Sequence, residues 1–254
     1  MRSLPAVVLV SLACGSPTLA SAAWGGCAIS EPRQASVEAG GAELVRVIAK
    51  AGSLEIMGKE GLTDVRAHGK ACAEHREDLA EVRLVAERSG SEVRVEVVTP
   101  DGWGKSGSLD LVVEVPQSLA VAVEDGSGSA EIRGVASLRL KDGSGEIEVR
   151  DVAGDVEVRD GSGKIEIVQV RGSVVVDDGS GSIEIQDVEG SVTIESDGSG
   201  SIDVTGAKKS VLVRRDGSGG ISVKDVAGDF VVERDGSGSV THSGVQGRVD
   251  VPSR

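Results

Sequence analysis

The chain has 254 residues, a formal net charge of −14, two Trp, one Phe, no Tyr and no Asn. A core must therefore come from Val, Ile, Leu and Ala, and the acidic balance argues against nucleic acid or anionic lipid as a partner. It leaves room for a cationic partner, a divalent ion, or charge that serves only solubility.

Residues 1–22 read as a secretory signal peptide. Arg2 gives a positive start, residues 4–13 are mostly apolar, and Ala20-Ser21-Ala22 is a small-x-small cleavage site, so the mature chain is expected to begin near Ala23. The apolar run is too short to span a bilayer, and no later stretch reads as a transmembrane segment. The expected location is periplasmic, secreted or at the cell surface. Ser11-Leu12-Ala13-Cys14 resembles a lipobox, with Ser11 where Leu is usual, so lipoprotein anchoring is the alternative. Once the leader is gone, Cys27 and Cys72 remain. In an oxidising compartment one disulfide is the simplest reading, closing a loop of about 45 residues for about 4 kcal/mol.

Residues 23–120 read as an irregular β region that caps a stack of repeats, because a solenoid exposes its core at each end. Residues 43–49 and 53–56 alternate polar and apolar, and residues 64–70 suggest a further strand ending near Cys72. Residues 74–81 suggest a short helix. Residues 82–86 and 93–98 flank Ser89-Gly90 as a hairpin, and residues 109–115 are an apolar strand closed by Pro116. Trp103 sits in a Gly-rich loop, as a packing anchor or a stacking platform.

From residue 121 to 254 the phrase Asp-Gly-Ser-Gly recurs, beginning at Asp125, Asp142, Asp160, Asp178, Asp197, Asp216 and Asp235, at steps of 17, 18, 18, 19, 19 and 19 residues. One full repeat, residues 142–159, supplies two short strands and two turns. This predicts an all-β fold, a β-solenoid of 17–19-residue coils with two strands per coil. Ala130, Ile147, Ile165, Ile183, Ile202 and Ile221 should line one inner column. Leu138, Val156, Val174, Val192, Val211 and Phe230 should line the facing one. An antiparallel meander with Asp-Gly hairpin turns is the rival.

The serial Asp-Gly-Ser-Gly-x-Ile-x-Val-x-x-Val-x-Gly-x-Val-x-Val pattern resembles the bacterial "putative adhesin" repeat family, secreted domains of unknown function with Gly-Ser-Gly at the turn. The paired cysteines, the second in Lys70-Ala71-Cys72-Ala73, and residues 109–116 match it too. The resemblance covers roughly residues 27–251. It implies a secreted β-repeat fold and binding at a cell surface, and brings no catalytic residues with it.

Catalytic signatures are missing or false. Gly161-Ser162-Gly163-Lys164 looks like the end of a phosphate loop, but Val158 replaces the leading Gly and Ile165 the needed Ser or Thr. There is no Gly-x-Ser-x-Gly elbow. His68, His75 and His242 are scattered, and the calcium β-roll motif does not match because Asp precedes the glycines. Catalytic residues, a metal site and a cofactor are therefore not expected, although calcium stays open through two acidic columns. One is the seven turn aspartates, read as structural because Asp accepts backbone N–H bonds in turns. Lys141, Arg159, Arg215 and Arg234 stand beside four of them. The other, outward on the first strand, is Glu131, Glu148, Glu166, Glu184 and Asp203, with less obvious neutralisation and so the better place for a cation or basic partner. On the second strand, Val175, Leu212 and Val231 face outward as a candidate docking patch. The expected function is a non-enzymatic binding or scaffold module acting on an envelope or surface protein or other macromolecule. A divalent-cation repeat is the alternative, and a polysaccharide-active enzyme, needing a cleft of carboxylates and aromatics in residues 23–120, the remote one.

Overall fold

The structure is a computed structural model and describes residues 27–102 and 105–252. The expected leader, Cys14 with its lipobox-like lead, Trp24 and Trp103 lie outside these residues. The strands are β1 (Ile29–Glu38), β2 (Leu44–Ile48), β3 (Leu54–Lys59), β4 (Asp64–Ala73), β5 (Arg83–Ser89), β6 (Glu92–Val98), β7 (Ser108–Pro116), β8 (Ala120–Glu124) and β9 (Gly128–Arg133), with one helix, α1 (Arg76–Glu81), between β4 and β5.

After Ala120 each repeat lays one short strand on each of two faces. Ser137–Lys141, Val156–Asp160, Val174–Asp178, Val192–Asp197, Val211–Val213 and Phe230–Val232 extend the ladder begun by β8. Gly145–Val152, Gly163–Val170, Gly181–Val188, Gly200–Ala207, Asp216–Val226 and Asp235–Val245 extend that of β9. Every neighbour in both ladders pairs in parallel. Parallel pairing excludes the meander, since only a chain that returns to the same face after each turn pairs this way. The result is a β-solenoid of about seven turns.

Register follows from the hydrophobic alternation. Ile147 pairs with Ala130 and Ile165, and the column runs on through Ile183, Ile202 and Ile221. On the facing ladder Leu138, Val156, Val174, Val192, Val211 and Phe230 align one above another. All twelve are buried. Slipping a strand by one residue would turn its apolar set to water, so the pattern fixes the pairing.

The fourth residue of the turn phrase must be Gly. Gly145, Gly163, Gly181, Gly200, Gly219 and Gly238 have φ between 141° and 151°, and a Cβ on each would overlap the carbonyl of the matching Gly one coil before. The opposite corner is also left-handed. Asp151, Gln169, Asp187 and Asp225 have φ of 53–61°, with Gly134, Gly206 and Gly244 in the same place in other coils.

The hydrogen-bonded stack does not begin at residue 121. β2 lies between β6 and β8, and β3 between β7 and β9, all in parallel. The chain thus lays down the β2–β3 coil, leaves for β4, α1 and β5, returns with the β6–β7 coil outside the first, and crosses back to β8. Antiparallel strands close that end: β5 on β6, and β4 on β7 with β1 outermost. Capping and two coils both come from the region read as a cap. Cys27 and Cys72 form a disulfide, Cα atoms 5.7 Å apart, fastening the start of β1 to the end of β4.

Candidate functional site

The outward acidic column is in register: Glu131, Glu148, Glu166, Glu184 and Asp203 are successive partners, and Glu55 of β3 extends it by one coil. Bases sit among these carboxylates. Arg133 bonds Glu131 and reaches Glu55 at 2.7 Å; Arg150 bonds Glu148 and reaches Glu166 at 2.5 Å. Lys164 lies 2.8 Å from Glu166 and 3.8 Å from Glu184. The hydrogen bond from Lys164 holds the Glu166 carboxyl below the usual carboxylate range. Glu184 also accepts from Gln186 at 2.6 Å. Contrary to the expectation of weak neutralisation, the column from Glu55 to Glu184 is a lattice of ion pairs; among the described residues Asp203 alone of the five has no cation within 4.0 Å. The signal lay in the sequence: Arg133 and Arg150 are two residues beyond Glu131 and Glu148, hence on the same face of the strand.

The turn aspartates point the other way. Asp142, Asp160, Asp178, Asp197 and Asp216 are buried, at 1–8% exposure, while the end members Asp125 and Asp235 are half-buried. Asp160, Asp178, Asp197, Asp216 and Asp235 are register partners in turn. One oxygen of each of four accepts from the backbone: Asp125 from Gly126 at 2.7 Å, Asp142 from Gly143 at 2.7 Å, Asp178 from Ser180 at 3.2 Å, Asp197 from Ser199 at 3.1 Å. The other oxygen of each is buried without a donor. Asp160 feels the Gly161 and Ser162 amides but has no full hydrogen bond on either oxygen. Burial first, then neighbouring aspartates, pushes Asp160 and Asp197 up to about 6. Asp125 is pushed up to about 6 by burial, against the pull of the Gly126 amide. Burial also raises Asp142, Asp178 and Asp216.

The bases expected to help this column do not reach it. Lys141, Arg159, Arg215 and Arg234 each immediately precede an aspartate, so their side chains leave the opposite face. Arg159 pairs with Glu157 at 2.9 Å instead.

On the facing ladder Arg139, Glu157, Val175, Thr193, Leu212 and Val231 form one outward column. Val175, Leu212 and Val231 are half-buried, so the apolar patch is a shallow stripe. Beside it an open hollow of about 390 Å³ is lined by Ala122, Arg139, Glu157 and Val175 among others. A second groove, of about 640 Å³, follows the left-handed corner past Asp151, Gln169, Arg171 and Asp187.

Sequence reading missed a stitch at the turn before the second strand. Asp155 accepts from the Ser173 amide at 2.7 Å, Ser173 Oγ from Ser191 N at 3.3 Å, Ser210 Oγ from Asp229 N at 3.1 Å and Asp229 from Arg248 N at 2.7 Å. Its signal was a Ser or Asp after the turn Gly at Asp155, Ser173 and Asp229, while Ser210 follows Lys209 instead.

His68, His75 and His242 are apart and exposed, with the His242 ring over Phe230 at 6.1 Å. Among the described residues, no group of three or more His, Cys, Asp or Glu is arranged to hold a metal ion, and no helix is long and apolar enough to cross a membrane.

These features define a class: a disulfide-fastened, two-faced β-solenoid with a buried aspartate seam. A solved structure shows the same fold. A putative adhesin from Bacteroides fragilis is 12% identical over 87% of this chain and 97% of its own, at a TM-score of 0.50. A putative cell adhesion protein from Clostridium sporogenes is 12% identical over 88% and 100%, at 0.39. A putative lipid binding protein from Parabacteroides distasonis is 14% identical over 87% and 97%, at 0.40. No protein-family model and no curated protein matches the chain. At these identities the likeness is one of fold.

Proposed function

We propose that this chain is a non-enzymatic, adhesin-like binding and scaffold module of the cell envelope or surface. The observation that carries it is the outward column of the facing ladder. There Val175, Leu212 and Val231 stand in register with Thr193, and the hollow beside Val175 is lined by Ala122, Arg139 and Glu157. A half-buried apolar stripe with charged ends offers a macromolecular partner an apolar centre and a polar rim. The disulfide fits an oxidising compartment. The putative adhesin from Bacteroides fragilis that shares the fold supports the same reading. The first face, bound up in its own ion pairs, serves as framework.

Photo-crosslinking side chains placed singly at Val175, Leu212 and Val231 test this in intact cells. One discrete adduct shared by all three, and absent with the probe at Glu148 on the opposite face, is the expected result. Equal labelling from both faces, or none from either, would remove the docking assignment.

A further inference from the structure

Six columns point into the narrow core of the repeats. Five are apolar; the sixth is the turn aspartate. A buried carboxylate needs a cation, a full set of donors, or a proton. The first is absent: among the described residues no Lys or Arg lies within 4.0 Å of a turn carboxylate from Asp125 to Asp216. The second falls short, because Asp142, Asp178 and Asp197 each keep a buried oxygen without a donor and Asp160 keeps two. The third remains. Asp160, Asp178, Asp197, Asp216 and Asp235 follow one another in register, one inward carboxyl per coil. Two carboxyl groups can bond to each other only when one carries a proton, since an ionised carboxylate only accepts.

A metal fits less well. Each coil adds a single carboxylate, and no three acidic groups converge on a point among the described residues. The glycines after each aspartate bring the turn backbones into contact, with Gly161 closed over Gly143 and Gly179 over Gly161. Lys50, Glu124, Lys141, Arg159, Asp177, Arg215 and Arg234 flank the seam from the preceding segments, and Glu146 and Lys164 from the following ones. Of these, Asp177 acts on the seam by raising Asp178, and Lys50 donates its backbone N–H to Asp125 at 3.3 Å.

We propose that the turn aspartates from Asp125 to Asp235 share protons from coil to coil, each protonated carboxyl donating to a carboxyl oxygen of the next, so that acid locks the stack. Each proton comes from solvent and returns to it when the coils part. The folded chain therefore binds more protons than the unfolded one between the ordinary carboxylate value near 4 and about 6. Stability from the seam is fully present below about pH 4 and is lost as pH rises through about 6. Carboxylates held by bases, such as Glu166, work in the opposite sense and only at lower pH.

The test is the melting temperature from about pH 4.5 to about pH 8, at constant ionic strength, in the wild type and in Asp160→Asn/Asp197→Asn. A background with His68, His75 and His242 changed to Gln removes imidazoles from the same window. The wild type should melt roughly 5 °C higher near pH 5 than near pH 8. In the Asn variant, whose amides donate without titrating, at least half of that difference should vanish. Infrared spectra near pH 6 should show a protonated-carboxyl stretch that weakens in the variant, a readout that survives if the variant folds poorly. A melting temperature flat or falling towards pH 5, without that stretch, overturns the proposal. So does stabilisation near pH 8 by millimolar calcium, or by exchange of sodium for potassium, which would put a cation where the proton is assigned.

Discussion

Two columns of carboxylates run from coil to coil along this solenoid at the same spacing of about 4.8 Å, where neighbouring charges repel by about 0.9 kcal/mol even in water. Outside, Glu131, Glu148, Glu166 and Glu184 meet Arg133, Arg150 and Lys164. Inside, Asp142, Asp160, Asp178 and Asp197 meet backbone amides, one another and no base. The same chemistry is thus resolved twice, by ion pairing where water reaches and by protons where it does not. What separates the two is the side of the strand on which a carboxylate falls.

The sharpest way to break the comparison is to disturb the register that both columns share. Gly163→Ala would drive a Cβ into the Gly145 carbonyl from a backbone conformation that side chains rarely adopt. A loss of about 3 kcal/mol or more is expected in urea unfolding. Next comes the inner column alone. Asp197→Asn should stabilise the chain near pH 8 by about 1 kcal/mol, because the amide donates where the carboxylate cannot, and should gain nothing near pH 5. The outer column should respond more weakly: Arg150→Met should cost about 0.5 kcal/mol at low salt and less at high salt, as exposed pairs do. Smallest of all is calcium. Melting in chelator and in millimolar calcium should agree within about 1 °C, since the outer carboxylates are already engaged.

Much of this was legible in the residues. The steps of 17–19 residues named the coil, and alternation named the inner columns from Ala130 to Ile221 and from Leu138 to Phe230. The placement of bases was misread by adjacency. Arg159 stands next to Asp160 in sequence and on the opposite face in space, whereas Arg150 stands two residues from Glu148 and touches it. The swapped order of the β2–β3 and β6–β7 coils carried no local sign, because no turn phrase marks residues 44–116 and long-range pairing there is decided by which apolar faces fit. The left-handed corner at Asp151, Gln169, Asp187 and Asp225 was hidden by the absence of Gly, and shows only when Gly134, Gly206 and Gly244 are aligned with it.

The central claim is that the inner column holds protons that the unfolded chain does not, and counting them is its most direct measurement. The protein should be unfolded by denaturant in unbuffered solution near pH 5.5, with the pH change recorded against a blank and against Asp160→Asn/Asp197→Asn. Net release of protons by the wild type, reduced in the Asn variant, is the expected result. Net uptake, or a release equal in both proteins, would contradict it.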